Sequence, residues 1–114
     1  MNPGKRMQML DDKKRLMAAK NEEYKALIEK RAGAEYAFNV AFAKQLTSER
    51  MDGTPITIAK ELVKGNRAVA NLKLELEVCL GIERACLESM KDIREALGAD
   101  RSILTWLRNE LGNG

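Results

Sequence analysis

The residue types that most often carry out catalysis or bind metal ions are scarce in this chain. It contains no His, which excludes Ser-His-Asp and Cys-His catalysis, HExxH zinc sites and histidine general bases. The two cysteines, Cys79 and Cys86, cannot complete a tetrahedral zinc site by themselves. Seven residues apart on a helix, they would lie about 10.5 Å apart along its axis, which is too far for a disulfide. We therefore expect two free thiols, no catalytic residue, no metal site and no cofactor.

Glu83 lies between the cysteines, at a position that the helical pattern of this region otherwise fills with apolar side chains. It could turn outward into solvent, pair with a basic residue across an interface, or fix the register of two helices. No second carboxylate or base accompanies it at a spacing suited to catalysis. The chain also lacks a G-x-x-x-x-G-K-[ST] phosphate loop. Both observations predict that the protein is not an enzyme.

Basic residues are concentrated near the N-terminus, where residues 5–31 hold nine Lys or Arg and five Asp or Glu. Such a segment could follow a nucleic-acid backbone, and the candidate contacts are Lys13, Lys14, Arg15 and Lys20. A solvated helix face with internal ion pairs explains the same residues and is the simpler interpretation. The sequence contains no recognisable helix-turn-helix, zinc finger or aromatic platform for RNA.

The composition is typical of long helices that fold in water. Apolar residues make up 45% and charged residues 32% of the 114 residues, the net charge is +3, and only 2 Pro and 8 Gly interrupt the chain. No stretch approaches the roughly 18–20 consecutive apolar residues of a membrane span, and the N-terminus has no apolar signal-peptide core. We expect one helical domain over residues 1–114, in a reducing cytoplasm and without membrane contact.

Two long helices and one short helix are predicted. The first helix runs from about Lys5 to Arg50, with a basic N-terminal part, residues 1–16, that could fray. A turn and short helix occupy residues 52–66: Asp52 and Gly53 end the first helix, Thr54 is the expected N-cap, and Pro55 is the expected first helical residue. The short helix extends from Pro55 to about Lys64, and Gly65-Asn66 indicates a stop or a kink.

The second long helix carries the clearest pattern in the chain. Heptad positions 69, 72, 76, 79, 83, 86, 90, 93 and 97 are apolar except at Glu83. A break or bend near Gly98, at residues 98–100, is favoured before a C-terminal helix, although the same register could continue to Leu111 without one. These elements predict an all-α fold, a long antiparallel, coiled-coil-like helical hairpin with a short helix at its turn.

The second long helix has more apolar surface than one facing helix can cover. Leu74, Val78 and Ile82 lie off the heptad stripe and form a second apolar face. Two hairpins packed through this face would form a four-helix bundle. The sequence therefore predicts a homodimer with these three residues at the subunit interface.

The turn resembles that of a group of small bacteriophage and prophage proteins. The segment Gly53-Thr54-Pro55-Ile56-Thr57, followed by Lys64-Gly65-Asn66-Arg67-Ala68-Val69-Ala70-Asn71-Leu72, is similar to their Gly-x-Pro-[Val/Ile]-Thr turn, the Gly a few residues later and the long second helix. Such proteins are often encoded among early genes near recombination and replication functions, and most are of unknown function. The resemblance covers residues 32–108 in outline and implies a small accessory protein with no catalytic residue to carry over.

Two functions are compatible with these observations. The first is a non-enzymatic interaction protein that self-associates and presents helix faces and the turn to a protein partner. The alternative is a nucleic-acid-associated factor in phage recombination or replication that uses the basic N-terminal helix.

Overall fold

A computed structural model describes residues 3–112 and contains three helices: α1 (Pro3–Met51), α2 (Ile56–Gly65) and α3 (Arg67–Gly112). The described residues form no strand. The predicted all-α class and the order of long, short and long helices are confirmed.

Helix α1 covers the whole predicted range, begins two residues before it, at Pro3, and ends one residue after it, at Met51. The frayed N-terminal segment predicted for residues 1–16 is not seen over residues 3–16, and residues 1 and 2 lie outside the described range. The physical reason is a contact with α3 that the charge pattern did not reveal. The Lys13 Nζ atom donates a hydrogen bond to the Asp100 carboxylate at 2.6 Å, and both side chains are mostly shielded from solvent.

The turn after α1 depends on one glycine. Gly53 has a φ of +87°, a backbone conformation that is strained for residues with a Cβ atom. This allows the amide of Thr54 to donate to the Glu49 carbonyl at 3.2 Å and so to close the end of α1. The predicted role of Gly53 is therefore confirmed.

The predicted N-cap at Thr54 is wrong, because Pro55 occupies that position. Its extended ψ of 145° directs its carbonyl oxygen toward α2, where the Ala59 amide donates to it at 2.8 Å. The Thr54 carbonyl instead accepts a hydrogen bond from Arg50. Helix α2 consequently begins one residue later than expected, at Ile56.

A single residue, Asn66, separates α2 from α3. Its amide donates to the Val63 carbonyl at 3.0 Å and ends α2. Its side-chain Oδ1 accepts a hydrogen bond from the Val69 amide at 3.1 Å, which is the geometry of an N-cap, and begins α3. The predicted stop at Gly65-Asn66 is confirmed, and the same residue also starts the next helix.

By their internal contacts the described residues form two units, which we call the turn unit (residues 26–83) and the termini unit (residues 3–25 and 84–112). In the turn unit, Phe38 and Phe42 of α1 line a small cavity of about 130 Å³ together with Val69 of α3 and Lys64 of α2. The buried residues of this unit are Ala59, Val63, Val69 and Cys79.

The termini unit has its own buried residues on α3: Cys86, Met90, Leu97 and Leu104. In both units α1 runs antiparallel to α3. In the turn unit Arg31 bonds Glu83, whereas Phe38, which follows Arg31 in α1, lies beside Val69, which precedes Glu83 in α3. In the termini unit Lys13 bonds Asp100, whereas Lys20, which follows Lys13 in α1, lies near Cys86, which precedes Asp100 in α3. The antiparallel pairing of a helical hairpin is therefore present in each unit.

Helix α3 continues through residues 98–100, so the break favoured near Gly98 does not occur. A glycine inside a helix costs about 1 kcal/mol relative to alanine. The buried side chains on either side, Leu97 and Leu104, each contribute about 1.5–3 kcal/mol when fully removed from water. Packing of the continuous heptad stripe therefore outweighs the local preference of the glycine.

Candidate self-association surface

The three residues predicted to form a subunit interface lie together on the outer side of α3 in the turn unit. They are spaced four residues apart, which places their side chains on one side of the helix. In the single chain Leu74 is 64% exposed, Val78 52% and Ile82 44%. We call this surface the α3 face. The other helices of the turn unit leave it uncovered, and its use as an interface stays a prediction.

The α3 face lies in an open groove of about 390 Å³. Six of the residues that line it belong to α3, and one, Lys30, belongs to α1. The floor is aliphatic and contains Leu74, Val78 and Ile82, whereas the polar lining residues are Lys30, Asn71 and Glu75. The groove thus has an apolar floor with one cation and one anion at its rim.

The two charged residues of the rim lie toward opposite ends of the groove. Glu75 is adjacent in sequence to Leu74, while Lys30 precedes Arg31, whose side chain bonds Glu83 next to Ile82. Neither Lys30 nor Glu75 forms an ion pair within the described part of the chain. The groove is therefore basic at the Ile82 end and acidic at the Leu74 end.

Glu83, the charged residue in the heptad pattern, pairs with a cation of the same chain. The Arg31 Nε atom donates to the Glu83 carboxylate at 2.9 Å, and the Arg31 Nη1 atom donates to Glu35 at 2.9 Å. The Glu83 side chain is only 15% exposed. The hydrogen bond that Arg31 donates to Glu83, and then the one it donates to Glu35, raises the pKa of the Arg31 guanidinium above its ordinary value. This cluster joins α1 to α3, and each of its two carboxylates accepts a hydrogen bond from Arg31.

Arg31 is the residue that the sequence analysis missed. It lies three residues after Ile28 and three before Ala34, so it occupies the same side of α1 as the apolar residues that face α3. Arg31 on the apolar side of α1 and Glu83 on the apolar side of α3 were the signal in the sequence that could have predicted this ion pair.

The candidate nucleic-acid contacts are divided between paired and unpaired side chains. Lys13 is bound to Asp100 at 2.6 Å, and Lys20 to Glu23 at 3.1 Å. Lys14 and Arg15 are exposed and form no ion pair with another described residue. The structure therefore brings no continuous row of four available cations to the surface of α1.

Both cysteines are free and buried, and the Cys86 Sγ atom lies 4.0 Å from the Lys20 carbonyl oxygen. Over residues 3–112 there is no cluster of three or more His, Cys, Asp or Glu residues suited to holding a metal ion. Within the same range, no helix has the length and apolar character needed to cross a bilayer.

The turn residues form a second exposed region of the turn unit. Asp52, Gly53 and Pro55 are exposed, and Thr54 is half-buried. On α2 the side chains divide by face: Ala59 and Val63 are fully buried, whereas Ile58 and Leu62 are about half exposed. The short helix is thus docked through one face and presents two aliphatic side chains on the other.

Comparison of the chain with protein-family models, with curated proteins and with solved structures finds no significant match.

Proposed function

We propose that this protein is a non-enzymatic helical interaction protein that acts as a homodimer through the α3 face. The observation that carries the proposal is the exposure of Leu74, Val78 and Ile82, three adjacent aliphatic side chains, in the single chain. An apolar floor inside a polar rim is typical of surfaces that bind another protein.

Helix α1 provides a second line of support. None of its 49 residues is buried, although its apolar side chains include Leu27, Ile28, Phe38 and Phe42. Contacts within a single chain shield these side chains only partly. A second copy would complete the burial that the hairpin leaves unfinished.

The oligomeric state tests the proposal directly. Sedimentation velocity or light scattering of the wild-type chain should give twice the single-chain mass of 12.8 kDa. Val78→Glu would place a carboxylate from each copy in an apolar contact and should yield a monomer. Leu62→Glu is the matched control, because Leu62 is 51% exposed and Val78 52% exposed, both on helices of the turn unit. It should leave the mass doubled.

Circular dichroism at 222 nm separates loss of association from loss of folding, since a folded monomer keeps its helical signal. A wild-type chain with the mass of a monomer at micromolar concentration would overturn the proposal. So would equal effects of Val78→Glu and Leu62→Glu, since the α3 face would then have no special role.

The proposed partner, beyond a second copy, is a protein that contacts the turn and the exposed side of α2. The resemblance of the turn to that of phage and prophage proteins supports a role as an accessory of phage or host machinery. The two free thiols fit a reducing cytoplasm. Affinity capture from host cells, with Ile58→Glu and Leu62→Glu as negative controls, would identify a partner bound at this region.

The alternative function, binding to nucleic acid, is favoured by one observation: the adjacent Lys14 and Arg15 are exposed and unpaired. Phosphate binding would weaken steeply as salt is raised. A salt titration with single-stranded and duplex DNA, repeated on a Lys14→Ala, Arg15→Ala chain, tests this alternative. Binding that is weak, independent of salt or unchanged in the variant would exclude it.

A further inference from the structure

We infer that the second copy lies on the α3 face in an antiparallel orientation, with the two α3 helices related by a two-fold axis that passes near Val78. This inference rests on the proposed function and adds to it the geometry of the pair. It is carried by the distribution of charge and of aliphatic side chains around the groove.

The charges of the rim are the first argument. Lys30 lies at the Ile82 end of the groove and Glu75 at the Leu74 end, and the seven residues from Glu75 to Ile82 span about 10.5 Å along α3. A two-fold axis at Val78 exchanges these ends. Each Lys30 then meets Glu75 of the other copy, and two rim charges that lack an ion pair within the chain gain one each.

A parallel arrangement lacks this attraction. Its two-fold axis would run along the helices and would place the two Lys30 side chains at one height on opposite flanks of the contact, and the two Glu75 side chains likewise at another height. Neither charge would then meet an opposite charge of the other copy, so the rim favours the antiparallel orientation.

The aliphatic side chains of the groove are consistent with the same axis. In an antiparallel pair centred on position 78, Leu74 packs against Ile82 of the other copy, and the two Val78 side chains meet each other.

Cysteine crosslinking distinguishes the two orientations. Helix axes that pack 8–10 Å apart bring facing Cα atoms to within about 3.5–5.5 Å, which overlaps the range of a disulfide. In a Cys79→Ala, Cys86→Ala background, Val78→Cys chains should form a disulfide-linked dimer on mild oxidation. Leu74→Cys chains alone should not, nor should Ile82→Cys chains alone. A mixture of Leu74→Cys and Ile82→Cys chains should yield the mixed dimer.

The outcomes separate failure of the inference from failure of the proposed function. Crosslinking of Leu74→Cys chains alone and of Ile82→Cys chains alone, without a mixed dimer, would show parallel packing and overturn the inference, while self-association through the α3 face would stand. A doubled mass with no crosslink at any of the three positions would place the interface elsewhere. A monomeric mass would overturn the proposed function itself.

Charge reversal provides a second test that leaves the buried cysteines in place. Lys30→Glu and Glu75→Lys should each weaken dimerisation about fivefold to tenfold, because each turns two symmetry-related attractions into repulsions. The double variant should return the dimer dissociation constant to within about twofold of wild type, since the reversed charges again attract. A double variant weaker than both single variants would refute the pairing of Lys30 with Glu75.

Discussion

Docking of α2 through Val63 can be measured by removing two methyl groups. Val63 is fully buried. Val63→Ala loses about 0.8 kcal/mol of transfer free energy for each of the two carbons removed, and the cavity that remains adds a further cost because its surroundings collapse only in part. The higher helix propensity of alanine returns about 0.5 kcal/mol. The net loss in free energy of unfolding should be about 1.5–2.5 kcal/mol.

The same substitution at an exposed site is the control. Val40 lies on α1 in the same unit and is 48% exposed, so Val40→Ala loses about half of the transfer free energy and gains the same helix propensity. Its expected cost is about 0.3 kcal/mol. The difference between the two variants, about 2 kcal/mol, therefore measures burial alone.

Urea denaturation followed by circular dichroism at 222 nm is the appropriate assay. The midpoint for Val63→Ala should fall by about 1 M, given the usual dependence of unfolding free energy on urea. All variants are compared at one protein concentration, because association stabilises the folded chain by mass action. Equal midpoints for Val63→Ala and Val40→Ala would show that α2 is not held through Val63.

Substitutions at three further positions test the ends and the continuity of the helices. Gly53→Ala should lower the free energy of unfolding by about 1 kcal/mol or more, because the φ of +87° is strained for alanine. Gly98→Ala should raise it by up to about 1 kcal/mol, because α3 is continuous and a Cβ there meets nothing within 4 Å beyond the helix's own backbone. The melting temperatures of the two variants should shift in opposite directions, and a loss of stability in Gly98→Ala would contradict a continuous α3. Asn66→Ala should lower the free energy of unfolding by about 1 kcal/mol, because the hydrogen bond from the Val69 amide is lost. Asn66→Asp keeps the acceptor oxygen and should retain most of the stability of the wild type. Equal melting temperatures for Asn66→Ala and wild type would contradict the capping role.

The fold was predictable from the sequence because its determinants are local and periodic. Helix-forming residues with no proline between Lys5 and Arg50 predict α1, the Asp-Gly pair predicts the turn, and the heptad positions predict the buried side of α3. The buried residues Val69, Cys79 and Cys86 all fall on those positions. A pattern that repeats over many residues tolerates single exceptions, which is why Glu83 did not disturb it.

The errors arose where a residue's partner lies far away in sequence. Gly98 was expected to break the helix because local preference does not include the burial of Leu97 and Leu104. The N-terminal segment was described as one that could fray because no local pattern reveals its contact with α3, the bond from Lys13 to Asp100, which joins residues 87 positions apart. Arg31 as the partner of Glu83 was missed for the same reason.

The candidate site was predictable only in its apolar part. Leu74, Val78 and Ile82 were identified because the apolar surface of α3 is wider than one facing helix can cover. Their exposure in the single chain agrees with that reasoning. The charges of the groove could not be placed, since the position of Lys30 beside α3 depends on the pairing of the two helices.

The short connections on either side of α2 have a consequence for recognition. Four residues, including Pro55, connect it to α1, and Asn66 alone connects it to α3. So short a connection leaves the ten-residue helix little freedom to change its orientation, and the outward side chains of Ile58 and Leu62 are held at a fixed spacing. A molecule that binds there would lose little conformational entropy to ordering its target, so modest contacts at this small surface could give useful affinity.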